Sequence, residues 1–112
     1  MASESAQGWQ IEEYTTVRGE LVIRRFLSAI SEADRTEALA LLKVLSEQGN
    51  ALRRPSSGFL GEGLFELRGH QVRIFYCFRP DRRIVLLDGF LKKRTSIPEH
   101  ILKRVRKRRH EV

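Results

Sequence analysis

The sequence predicts an α+β domain in which helices pack on a small antiparallel sheet, in the order strand, helix, helix, three strands, helix. Three observations predict it. Residues 63–98 read as three short alternating strands with turns between them, GLFELRGHQVRIFYCFRPDRRIVLLDGFLKKRTSIP. Two stretches of helical apolar periodicity precede that run, and a helix-start signal follows it. With 112 residues, one hydrophobic core suffices.

Residues 1–8 are small and polar and are expected to be disordered, leaving a single domain over 9–112. Residues 9–16 (WQIEEYTT) carry aromatic and β-branched side chains and suit a first strand, with Trp9 and Tyr14 as packing anchors. Past Gly19 the period changes, and Ile23, Phe26, Leu27 and Ile30 form one helical stripe. Ser31 to Asp34 resembles a capping box with Asp in place of Glu, opening a second helix whose Ala38, Leu41, Leu42 and Leu45 share a face. Gly49-Asn50 stops it, and the two helices are expected to form an antiparallel hairpin.

Residues 51–61 (ALRRPSSGFLG) read as a loop from their Pro, Gly and Ser content. Strands are expected over about 64–69, 72–79 and 83–90, with turns at Gly69-His70-Gln71 and Pro80-Asp81. Alternation sends Phe65 and Leu67 to one face and Glu66 and Arg68 to the other. It likewise opposes Val72, Ile74, Tyr76 and Phe78 to Arg73, Phe75, Cys77 and Arg79. Packing the first sets on helices leaves Glu66, Arg68 and Arg73 on one outer, basic face. Ser96-Ile97-Pro98-Glu99 gives a Ser cap with Pro in the first turn of a last helix, which buries Ile101, Leu102 and Val105.

Composition bounds the function. No apolar stretch approaches the roughly twenty residues that cross a bilayer, and the N-terminus lacks the pattern of a secretory signal, so residence in the cytoplasm is expected. The lone Cys77 allows no internal disulfide and reads as a small buried hydrophobe. His70, His100 and His110 have no metal-ligand spacing, so neither a metal nor another cofactor is expected. The net charge of +7 is polarised: residues 1–52 sum to −3 and residues 53–112 to +10. A surface that meets phosphate has that character. The basic run from Lys103 to Arg109 suits an RNA-facing helix or a solvated tail equally, and it lacks the broad apolar face of a membrane helix.

GLFELR at 63–68, VRIFYCF at 72–78 and RRIVLLDGFLKK at 82–93, with Pro98 five residues beyond Lys93, together match a known pattern. The chain resembles the phage-derived HigB-like branch of the RelE/ParE toxin superfamily. Its members show a GLYELR strand, an R-x-x-Y strand, and an LLHGFxKK strand before a Thr-Pro helix start. The resemblance is strongest over 63–101 and spans most of the domain. It implies a RelE-like fold and a toxin of a type II toxin–antitoxin pair. Such a toxin cleaves mRNA, commonly at the ribosome, and is held inactive by a small helix-turn-helix antitoxin. The family's conserved positions fall on Arg68, Arg73, Phe90, Lys92 and Lys93. This chain departs at Asp88, where relatives often have His, and at Arg94, where a small polar residue is common.

RNA cleaves itself when a 2′-hydroxyl attacks the adjacent phosphate. A catalyst must align the two, take a proton and neutralise the phosphorane. Arg68 and Arg73 suit the last task, because a planar guanidinium grips phosphate oxygens in fixed geometry. Lys92 and Lys93, crowded by cations, are candidates for proton transfer. Glu66 is either a second base or the salt-bridge partner of an arginine. Phe90 either stacks on a base or packs in the core. Arg94, Lys103, Arg106 and Lys107 are candidate RNA contacts. Tyr76 is expected in the core. Two rival functions are a ParE-like protein that poisons a topoisomerase without cutting RNA, and a non-catalytic RNA-binding module.

Overall fold

The computed structural model describes residues 8–112; the expectation of disorder over 1–8 lies, but for Gly8, outside the described residues. The elements are β1 (Gln10–Glu13), α1 (Val22–Ala29), α2 (Glu32–Gln48), β2 (Ser57–Gly61), β3 (Leu64–Arg68), β4 (Val72–Arg79), β5 (Arg83–Leu91) and α3 (Glu99–Glu111). The α+β class and the element order follow the sequence reading, with one strand added. The sheet is ordered β1-β5-β4-β3-β2. It is mixed rather than purely antiparallel, because β1 runs parallel to β5, Gln10 opposite Arg83 and Glu13 opposite Leu86.

The added strand is β2, in the stretch expected to be a loop. It pairs with β3 from Ser57 opposite Leu67 to Gly61 opposite Leu64, with a bulge at Leu60. Tertiary pairing supplies what local propensity lacks here. Ser57 Oγ lies 2.7 Å from Tyr76 Oη inside the core, so a polar residue that suggested a turn is a satisfied buried hydroxyl.

The helices α1 and α2 cover one face of the sheet. Val22, Ile23, Ala38 and Leu45 meet Leu67, Ile74, Tyr76, Ile84 and Leu86 there. Ser31 caps α2 as expected, its Oγ accepting from the Asp34 N–H at 3.1 Å. Between the helices, Arg35 donates to the carbonyls of Leu27 (2.8 Å) and Ile30 (3.0 Å), satisfying acceptors that the end of α1 leaves open. At the far end of α2, Gly49 (φ 51°) lies against the Trp9 indole, and a Cβ at Gly49 would overlap the ring. Trp9 also meets Phe78 edge-on, 5.3 Å between centroids, so its anchoring role holds.

The second face is not open, as expected, but half covered. Phe75, Cys77, Val85 and Leu87 pack against Ile101 and Val105 of α3. The start of α3 also differs from the sequence reading. Pro98 occupies the cap position and accepts from the N–H groups of Ile101 and Leu102, with no side-chain cap from Ser96. A residue before proline disfavours the helical region, so the helix cannot begin ahead of Pro98. Among the described residues no helix is long and apolar enough to cross a membrane.

Candidate functional site

The uncovered half of the second face is where the candidate residues meet. Strand register sets two transverse rows. In one, Arg68 faces Arg73, which faces Phe90; in the next, Gly58, Glu66, Phe75 and Asp88 are successive partners. Three strands therefore deliver Arg68, Arg73 and Phe90 to a single line. The ladder continues one step past β5, where the Lys92 N–H donates to the Gln71 carbonyl at 2.7 Å. Alternation carries Lys92 onto the Arg73 side, with Lys93 exposed just beyond it.

Glu66 organises the arginines. Its side chain is 4 % exposed, and Oε1 accepts from Arg68 Nε at 2.9 Å while Oε2 lies 3.4 Å from Arg73 Nε. A carboxylate so buried is tolerable only with cations beside it. The two arginines are not equivalent. Arg73 is 13 % exposed and also donates Nη1 to the carbonyls of Gly69 (2.8 Å) and Val72 (2.9 Å). Arg68 is 36 % exposed and makes its hydrogen bond through Nε alone, with Nη2 lying against Gly58. Arg68 is thus the more accessible of the two, and Arg73 stands beside it as a nearly buried positive charge.

Phe90 is half-buried, its ring parallel to that of Phe75 at 5.9 Å and 5°. Packing on Phe75 occupies one side of the ring, in line with the core reading of Phe90. Arg94, Lys103 and Lys107 are exposed, and Lys103 and Lys107 lie one turn apart on the outer side of α3. Arg106 is half-buried and 3.9 Å from Glu62, which leaves it less free than its neighbours.

Asp88 has a clear employment. Its Oδ1 accepts from the Gly89 N–H at 2.8 Å, and its Oδ2 accepts from Arg104 Nε at 2.8 Å. Arg108 reaches the same oxygen at 3.2 Å and donates to the Leu87 carbonyl at 3.0 Å. A bulge at Leu87 makes this possible, because the extra residue turns both Leu87 and Asp88 toward α3. Asp88 is thus engaged by two guanidinium groups of α3.

Two further groups are withdrawn from chemistry. Burial pushes the Tyr76 phenol above its usual pKa, against a smaller opposite effect of the Ser57 hydrogen bond. Burial likewise pushes the Cys77 thiol up, with Arg109 and Arg79 opposing, so it stays an unreactive thiol. Tyr14, expected to be a packing anchor, also ties the chain ends: its hydroxyl donates to Glu111 at 2.6 Å and Arg108 lies over its ring. The hydrogen bond to the Glu111 carboxylate, more than burial, raises its pKa. Sequence reasoning missed the Asp88 clasp. The one available signal was Arg104 and Arg108 spaced a helical turn apart.

A mixed five-stranded sheet with an N-terminal helix pair, carrying a cation row braced by a buried glutamate, defines a small basic α+β protein. The family model described as "Phage derived protein Gp49-like (DUF891)" matches residues 25–110, and the chain belongs to that family. Among solved structures, it is similar to a chain of the toxin–antitoxin complex RelBE2 from Mycobacterium tuberculosis. The TM-score is 0.56 at 17 % identity, over 76 % of this chain and 99 % of that one. The shared fold is therefore shown at low sequence identity. No individual curated protein matches the chain.

Proposed function

We propose that this protein is the toxin of a type II toxin–antitoxin pair of the RelE/HigB type. In this reading it is an endoribonuclease that cuts mRNA through the RNA's own 2′-hydroxyl, probing messages on the ribosome. One observation carries the reading: Arg68, Arg73 and Phe90 share one row of the sheet, with Lys92 and Lys93 at its end, on the half of the face that α3 leaves open. The fold shared with a chain of a toxin–antitoxin complex supports it.

The chemistry assigns work to each residue. The terminal nitrogens of Arg68 hold the scissile phosphate, and the charge of Arg73 adds to the field behind it. A lysine of the Lys92–Lys93 pair takes the 2′-hydroxyl proton as that oxygen attacks phosphorus. The bond to the 5′-oxygen breaks, and that oxygen takes up a proton, leaving a 2′,3′-cyclic phosphate and a 5′-hydroxyl end. Phe90 offers its free edge to a base, and Arg94, Lys103 and Lys107 contact flanking phosphates. A helix-turn-helix antitoxin with an acidic segment covers this face in the inactive pair, and the protein works in the cytoplasm.

A binding-only module is favoured by one observation, the engagement of Glu66 and Asp88 with arginines, which leaves lysine as the proton-transfer group. Incubating the purified protein with mRNA, with and without ribosomes, and mapping the ends decides between them. Cuts bearing cyclic phosphate support the nuclease. Retention of intact RNA under both conditions, despite binding, overturns it.

A further inference from the structure

We propose that Gly58 and Glu66 form a seat that aims the Arg68 guanidinium, which makes both of them positioning residues for RNA cleavage. The inference rests on the ribonuclease reading above. Gly58 of β2 and Glu66 of β3 are direct partners across the strands. A Cβ on Gly58 would overlap Nη2 and Cζ of Arg68, so the guanidinium fills the space a side chain would take. Glu66 then holds Arg68 Nε at 2.9 Å. Contact with β2 on one side and a carboxylate on the other fixes the fork, and among the described residues nothing bonds its terminal nitrogens.

An arginine side chain has many rotamers, and an unrestrained fork would sample many directions. Catalysis by charge depends on donors already aimed at the anion before it forms. A glycine is required at 58 because any side chain would push the fork away. Arg68 ends in a flexible chain, so an alanine at that position displaces the guanidinium rather than the strand.

The test compares the parent with Gly58→Ala and Glu66→Gln in three measurements: the Arg68 Nε–H signal by nitrogen-edited NMR, single-turnover cleavage of an RNA oligonucleotide, and RNA affinity across salt. The parent should show a slowly exchanging Nε–H that both variants lose. Gly58→Ala should cleave about 100-fold more slowly, the cost of a misplacement near 1 Å, with RNA affinity reduced far less than cleavage. Glu66→Gln should also cleave slowly yet bind RNA more tightly with a steeper salt slope, since the site loses a negative charge. A merely structural role would weaken binding and cleavage together.

Thermal unfolding confirms that each variant is folded, and Gly58→Ala carries the test alone if Glu66→Gln is not. Parental cleavage by folded Gly58→Ala, or an Nε–H unchanged in both variants, overturns the seat. A parent that cuts no RNA overturns the ribonuclease reading instead, and the NMR signal then decides the seat by itself.

Discussion

Asp88 Oδ2 lies 2.7 Å from Arg104 Nη2 and 3.2 Å from Arg108 Nη1, so one carboxylate of β5 fastens two successive turns of α3 to the sheet. Asp88 and Arg108 are nearly buried, while Arg104 reaches solvent. Asp88→Ala is expected to cost about 2 kcal/mol, between the values for exposed and buried pairs. Urea denaturation measures the loss. Hydrogen exchange should quicken most in α3, because its apolar contacts are then its main attachment.

Arg68→Ala should lower single-turnover cleavage by about 100- to 1,000-fold, the usual effect of removing one preorganised donor. Arg68→Lys should not restore it, because an ammonium cannot reproduce a fork aimed by Nε. Lys92→Ala and Lys93→Ala identify the proton-transfer group: the variant whose pH–rate profile loses a limb held it. Growth arrest by Arg73→Ala and Lys93→Ala equal to that of the parent would sink the whole catalytic assignment.

The logarithm of RNA affinity should fall linearly with the logarithm of salt concentration. Lys103→Ala and Lys107→Ala should each reduce that slope by roughly 0.7–1, while cleavage at saturating RNA stays unchanged. Filter binding over a salt series gives both slopes. Arg106→Ala should do less, since Glu62 already occupies part of its charge.

Stability should decline at alkaline pH. Burial raises the folded-state pKa of Tyr76 above 10.0 and of Cys77 above 9.0. The unfolded chain therefore loses these protons first, and stability present below pH 9 is lost as pH rises through the folded-state values. Tyr76→Phe should flatten the decline above pH 10 in urea melts, although it forfeits the hydrogen bond to Ser57 at neutral pH.

The helices and β3 to β5 were legible because apolar residues repeat there with periods of 3.6 and 2, and the burial of Ile23, Ala38, Leu45, Ile74 and Tyr76 follows that reading. β2 was illegible because Gly58 and Gly61 have no strand preference and Phe59, on the edge, remains exposed. The parallel pairing of β1 has no local signal at all. The placement of α3 did leave a trace. Phe75, Cys77, Val85 and Leu87 are apolar on the side opposite Ile74 and Leu86, the mark of a sheet buried on both faces. Each cation of the site could be read singly from the sequence. Their unequal freedom could not, because Glu66 reaches Arg73 only through cross-strand register.

Among the described residues, Gln10 and its neighbours pair with Arg83 to Leu86 alone, about seventy positions downstream. During synthesis the first strand must therefore wait, unpaired, until β5 has emerged. The lysines follow immediately after β5, and the α3 clasp comes later still. A chain interrupted before β5 would be a fragment with an unfinished sheet and about half its cations missing.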